Sequence, residues 1–136
     1  MINSQYHAEI VHNGKPLIID AATPAPLSGK YAALRDAIIV ALAAGRATED
    51  AKPDDGGTCN FDAPALVLPR WNAAKIQQVA KEAGSSAFAW NLYGSKLWVL
   101  RINSGAQGNA RTTNAEAACA SLTAAGYDCH MYYQMD

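Results

Sequence analysis

The sequence predicts an α+β fold in the order β-α-β-β-α-β, the ferredoxin-like arrangement, preceded by an N-terminal hairpin and helix. Two stretches with apolar residues at helical spacing, Asn72 to Ala83 and Asn114 to Ala125, alternate with four strand-like runs. Those runs are Ala65 to Leu68, Ala87 to Tyr93, Lys96 to Ile102 and Tyr127 to Met135, and the middle two meet at Gly94-Ser95, which reads as a two-residue hairpin turn.

From the N-terminus, Tyr6 to Val11 and Pro16 to Ile19 flank His12-Asn13-Gly14-Lys15, and Asn-Gly suits the positive φ angles of a tight hairpin turn. A connector rich in Pro and Ala, Ala21 to Leu27, leads to a helix over Lys30 to Ala44, where Tyr31, Leu34, Ile38, Ile39 and Leu42 form one apolar stripe and Gly45 is the expected stop. Arg46 to Ala63 reads as a long surface loop because Lys52-Pro53-Asp54-Asp55-Gly56-Gly57 carries strong turn chemistry. In Thr58-Cys59-Asn60-Phe61-Asp62, Cys59 and Phe61 are expected to plug into the core, while Asn60 and Asp62 have either a structural or a site role. Asn72 reads as the cap of the second helix and Gly84 as its stop. Residues 1–27 are thus an extension and 28–136 a single core domain.

Composition narrows the function classes. A chain of 136 residues that is 50% hydrophobic can bury a core of its own. Its net charge of −1 argues against DNA or broad nucleic-acid binding, which requires a basic excess. Cys59, Cys119 and Cys129 are odd in number and lack C-x-x-C spacing, so neither a disulfide framework nor a zinc site is indicated. With no leader signature and no long apolar run, a reduced cytoplasmic protein without membrane attachment is expected.

The stretch Ser104 to Glu116 has the chemistry of an anion cradle. Gly105 and Gly108 permit close backbone approach, Arg111 supplies a planar cationic fork, and a following helix, capped by Thr113 with Glu116, presents free N–H groups. If the first and third strands of the unit are adjacent and parallel, Arg70 and Trp71 emerge beside this loop, and two arginines, one indole and two helix N-termini share a pole. Taken singly, Arg70 reads as a solvated charge and Trp71 as a lid on the core; together they suit a phosphorylated ligand with a flat base. Gln107, Gly108, Asn109 and Thr112 from the loop, and Asn91 from the hairpin, complete the candidate set.

A turn at Gly94-Ser95 pairs Trp90 with Val99 and Phe88 with Arg101, and gives the hairpin two apolar faces. One carries Phe88, Trp90, Leu92, Leu97 and Val99 beside Arg101; the other carries Ala89, Asn91, Trp98, Leu100 and Ile102. The two helices cover one face, so the other meets either a second subunit, the preferred reading, or the N-terminal helix. The last strand alternates as a half-buried antiparallel edge, and its His130 has no nucleophile or carboxylate pair spaced to work with it. No hydrolase or metalloprotease signature is present.

Asp54 to Asp62, the Leu68-Pro69-Arg70-Trp71 segment, the Gly105 to Thr112 loop and the Tyr132-Tyr133-Gln134-Met135-Asp136 end together resemble the first class of phage Thoeris anti-defence proteins, over about residues 30 to 136. The resemblance implies a non-enzymatic, cofactor-free sponge that binds the cyclic ADP-ribose signal of a TIR-domain defence protein inside the infected bacterium and blocks Thoeris immunity without degrading the ligand. It further implies dimers or higher homo-oligomers with ligand held at subunit boundaries by arginines and aromatic rings, and in some members a separate site for cyclic oligonucleotides. On this resemblance the ligand role carries to Arg111 and its loop, and to Phe88 and Arg101. The alternatives are a small-nucleotide-processing enzyme, for which Asp62 and Glu116 are the available acids, and an RNA-binding module of ferredoxin-like topology, which Ala65-Leu66-Val67-Leu68 disfavours by lacking an aromatic ring.

Overall fold

In the computed structural model, which describes residues 8–12, 15–19, 25–52, 56, 57, 61–92, 94–106 and 108–133, the chain is α+β with a four-stranded antiparallel sheet and three helices. Strands β1 (Ala8–His12) and β2 (Lys15–Ile19) pair with each other as the N-terminal hairpin, in a sheet of their own; its turn residues lie outside the described set.

Helix α1 runs from Gly29–Ala51, well past the expected stop at Gly45. Gly45 ends nothing. Its lack of a side chain lets α1 press against α3 (Gly108–Ala124), and a β-carbon at this position would lie 2.7 Å from the Asn114 carbonyl oxygen. The buried residues of α3 include three alanines, Ala110, Ala115 and Ala118, beside Gly108, Asn114, Cys119 and Leu122. The buried stripe of α1 is Leu34, Ile38, Ala41, Leu42, Gly45 and Glu49, and Ile39 lies outside it.

Helix α2 (Ala73–Glu82) begins and ends as its sequence demands. The Asn72 side chain accepts from the Lys75 N–H at 2.9 Å. Gly84, at φ +85, turns the chain so that the Ser85 N–H reaches the Ala80 carbonyl at 2.8 Å.

The sheet contains β3 (Ala63–Leu66), β4 (Ala87–Leu92), β5 (Ser95–Leu100) and β6 (Cys129–Tyr132), in the spatial order β4-β5-β3-β6. The central pair, β3 and β5, is antiparallel, which corrects the parallel arrangement expected from the sequence. The physical reason is chain direction. Helix α2 carries the chain back so that β4 runs the same way as β3, the hairpin then reverses it, and β5 fills the gap between them in the opposite sense. The carboxyl ends of β3 and β5 therefore lie at opposite poles.

The hairpin register also differs from expectation. Leu92 faces Ser95, Trp90 faces Leu97 and Phe88 faces Val99, so the connection falls at residues 93 and 94. Each partner is displaced by two residues, and a displacement of two keeps every side chain on its face. The face assignment survives: Trp98, Leu100 and Ile102 join Leu66 and Cys129 in one core with α1, α2 and α3. Burying each Leu or Ile of such a core is worth about 1.5–3 kcal/mol. All three helices take this side, with α1 packed on α3 and α2, so α1 does not cover the second face.

On that second face Ala63, Ala65, Leu97 and Val99 form a small cluster of their own. The two alanines leave a hollow along the middle of the sheet. Over it, Trp90 on one edge strand and Tyr132 on the other meet edge-on, with ring centroids 6.3 Å apart. Phe88 (50% exposed), Trp90 (45%) and Leu92 (40%) remain open to solvent. No described helix is long and apolar enough to cross a membrane.

Candidate functional site

One pole of the sheet gathers the start of β3, the start of β4 and the ends of β5 and β6. Here a cavity of about 690 Å³ opens, lined by Phe61, Ser85, Ser86, Phe88, Val99, Arg101, Asn103, Ser104, Arg111 and Tyr132, among others. Its volume lies within the range of small-ligand sites.

The two guanidiniums reach this cavity from different elements. Arg101 follows β5, where its N–H donates to the Ser86 carbonyl at 3.0 Å and its carbonyl accepts from Ser85 Oγ, so its backbone is held while its side chain is exposed. Arg111 stands in the first turn of α3 and is half-buried. Neither forms an ion pair among the described residues. Arg111 Nε is buried and has no hydrogen-bond partner among the described residues. A buried donor left unsatisfied costs about 1–3 kcal/mol, so this atom calls for an acceptor.

The apolar walls are rings. Phe61 (49% exposed) and Phe88 project into the cavity, and Tyr132 closes one side. Phe61 is therefore not the core anchor its sequence context suggested; the core beneath it is filled by Ala63 and Ala65, and the ring turns outward. The neighbouring Cys59 and Asn60 lie outside the described residues. Asp62 is buried and accepts from Thr112 Oγ1 at 2.7 Å.

The expected glycine-rich cradle has a different construction. Helix α3 starts at Gly108 rather than Asn114, so Thr113 and Glu116 form no capping box, and Glu116 instead accepts from the Tyr133 hydroxyl at 2.9 Å. Gly108, at φ +60, packs so closely that a β-carbon would lie 2.9 Å from the Gly56 carbonyl carbon, and the Asn109 N–H donates to the Gly56 oxygen at 2.8 Å. Thr112 is engaged with Asp62 and with the Gly108 carbonyl. Asn109 lines a separate hollow of about 180 Å³ with Thr48 and Lys52. Gln107 lies outside the described residues.

The Gly105 amide points inward, to Glu49. This buried carboxylate accepts from Ser104 Oγ, from Asn114 Nδ2 at 3.0 Å and from the Gly105 N–H at 3.3 Å. Burial alone would raise the Glu49 carboxyl, but these hydrogen bonds and the nearby Arg46 charge outweigh it and hold it below the ordinary carboxylate value.

Arg70 and Trp71 lie at the opposite pole, because β3 and β5 are antiparallel. Trp71 packs against the core and edge-on to Tyr31, with centroids 5.1 Å apart and Lys30 Nζ 4.5 Å from the indole, so it serves as a lid. Arg70 is an exposed residue at φ +66. Asn91 is exposed on β4 opposite Lys96, on the helix-side face. Of the sequence-predicted set, the cavity unites Arg101, Arg111 and Phe88. It adds Phe61, Ser104 and Tyr132, which lie in stretches the sequence singled out but were not assigned to the site, and Ser85, Ser86 and Asn103, which carried no motif; their common signal is position at a strand end of one pole.

No known protein family, curated protein or solved structure matches this chain. The site's chemistry therefore rests on its own lining. That lining contains no His, Cys, Asp or Glu among the described residues. The remaining thiols are buried, and burial together with the adjacent Cys119 pushes the Cys129 thiol well up, away from the reactive thiolate. His130 is exposed and sits 2.6 Å from Asp128, outside the cavity lining.

Proposed function

We propose that the chain binds a phosphorylated nucleotide in the cavity between Arg101 and Arg111 and holds it without chemical change, as a sponge for a cyclic ADP-ribose signal of the kind that the Thoeris resemblance implies. The observation that carries this reading is a pair of guanidiniums, neither with an ion pair among the described residues, that line one cavity. A pyrophosphate would accept from the guanidiniums that line the cavity, and an exposed Phe61 or Phe88 ring offers an adenine a stacking surface. A binding role is favoured over a processing one because the acids that could serve as a general base are committed elsewhere, Asp62 to Thr112 and Glu116 to Tyr133.

In this reading the β3-α2-β4-β5-α3-β6 unit is ferredoxin-like, and a second copy of the chain seats on the open face of Phe88, Trp90 and Leu92, bordering the cavity. Such a boundary would bury the exposed rings and shield the ligand. The assembly is checked by sedimentation: a homo-oligomer is expected at micromolar concentration, and a compact 14.4 kDa species would remove the second copy from the site.

The function is tested by incubating the protein with cyclic ADP-ribose isomers, denaturing it and identifying the released nucleotide by mass. Intact ligand is expected; a hydrolysed product would establish an enzyme. Binding is expected to survive EDTA and to weaken with salt, as it should for contacts made by guanidiniums alone. The exposed Phe88 and Trp90 favour one second reading, base stacking of single-stranded RNA on the sheet. An oligoribonucleotide bound more tightly than the cyclic ADP-ribose isomers would select it.

A further inference from the structure

The connection between β5 and α3 is organised around an anion of the chain's own. Glu49, in the last turns of α1, receives Ser104 Oγ and the Gly105 N–H from this connection and Asn114 Nδ2 from α3. The same Asn114 amide donates its other hydrogen to the Asn103 carbonyl at 2.8 Å. Three consecutive residues, Asn103, Ser104 and Gly105, are therefore tied to one carboxylate, directly or through Asn114. This segment joins the two cavity guanidiniums: Arg101 precedes it and Arg111 follows it in the first turn of α3. Asn103 and Ser104 themselves form part of the cavity wall, whereas Glu49 stands behind it.

We propose that Glu49 is a positioning residue of the nucleotide cavity, a carboxylate that fixes the separation of Arg101 and Arg111 by anchoring the segment between them. The proposal rests on the reading of that cavity as a nucleotide site. A carboxylate is required because all three partners donate. In Glu49→Gln the volume is kept, but an NH2 group replaces one acceptor, so the Gly105 N–H or the Asn114 amide faces another donor, and Arg46, 3.7 Å from the carboxylate, loses one of its two counter-charges and keeps Asp50 at 3.4 Å. In Glu49→Asp the charge is kept and the carboxylate is withdrawn by one methylene, which draws the segment toward α1 or breaks its bonds. Bidentate recognition of a phosphate by two forks tolerates little change in their spacing.

The test is isothermal titration of a cyclic ADP-ribose into the wild type and both variants, below their melting temperatures, with Kd and stoichiometry read separately. A residue that only stabilises the fold lowers the number of competent sites and leaves Kd alone. A positioning residue raises Kd at unchanged stoichiometry. The Gln variant is expected to bind about tenfold more weakly, and the Asp variant about threefold, with full stoichiometry in the Asp protein. Wild-type Kd in the Gln variant would overturn the proposal, whatever its melting temperature. If the Gln protein does not fold, the Asp variant decides, and a wild-type Kd there overturns it equally. No binding by the wild type would instead overturn the nucleotide reading itself, and this inference with it.

Discussion

Arg111→Ala is expected to weaken binding of a cyclic ADP-ribose by about thirtyfold or more while leaving the melting temperature near that of the wild type. The two halves of this expectation come from the same atom. Arg111 lines the cavity, and its buried Nε has no partner among the described residues, so this atom costs the unliganded protein rather than stabilising it. Removing the side chain should therefore leave stability within about 1 kcal/mol of the wild type, since no hydrogen bond or ion pair among the described residues is lost and relief of the unsatisfied donor offsets the lost contacts of the half-buried stem. In the proposed complex the guanidinium would be desolvated and paired with phosphate, and truncating one partner of such a contact costs about 2–5 kcal/mol. Arg111→Lys should recover only part of the loss, because an ammonium keeps the charge but not the fork. Titrations alongside thermal melts check this. Unchanged affinity in the alanine variant would take α3 out of the site, and a collapsed melting temperature would make Arg111 a structural residue.

Gly45→Ala should unfold the protein more easily, although propensity alone predicts the reverse. Alanine is favoured over glycine in a helix interior by about 1 kcal/mol, so a Gly45 exposed to solvent would be improved by the change. Gly45 is buried, however, and its new methyl would meet the Asn114 side-chain oxygen and lie 2.7 Å from the Asn114 carbonyl oxygen. Backbone cannot rotate away from a methyl. Relief requires separating α1 from α3, which also strains the Asn114 bonds to Glu49 and to the Asn103 carbonyl. Overpacking of this kind costs about 1–3 kcal/mol, and the loss of a buried bond adds to it, so the clash outweighs the propensity gain. Denaturant melts should show a lower midpoint with unchanged slope. A midpoint at or above the wild-type value would mean that the crossing has slack.

Much of the architecture was legible because it depends on local chemistry. The Asn72 cap, the Gly84 stop and the two faces of the hairpin follow from hydrogen-bond geometry and period-two alternation, which the chain cannot evade. The hairpin register was not legible in the same way: a slip of two residues leaves each face intact, so the hydrophobic pattern is blind to it. Gly45 and Gly108 misled for a related reason. A glycine signals backbone freedom or close approach, and only the packing of α1 on α3 and of Gly108 on Gly56 decides which. At the site, Arg111 was legible from its loop at a helix start, and Arg101 and Phe88 as neighbours on one face of the hairpin and through the family resemblance. Arg70 and Trp71 were misplaced because strand direction, not composition, assigns poles, and Phe61 was misread because its apolar character says nothing about which way it faces.

Strand β4 lies at the border of the sheet and pairs only with β5 among the described residues, so one row of its backbone groups is unclaimed. Its sequence, Ala87–Leu92, contains no proline and no charge, the devices by which border strands usually repel intruders. This is the composition of a segment that accepts a further strand, and such segments seed cross-β stacking when many copies crowd together. Assembly over the neighbouring face would then act as a safeguard as well as a means of binding. Any demand for solubility at high concentration falls on the six residues of this one strand.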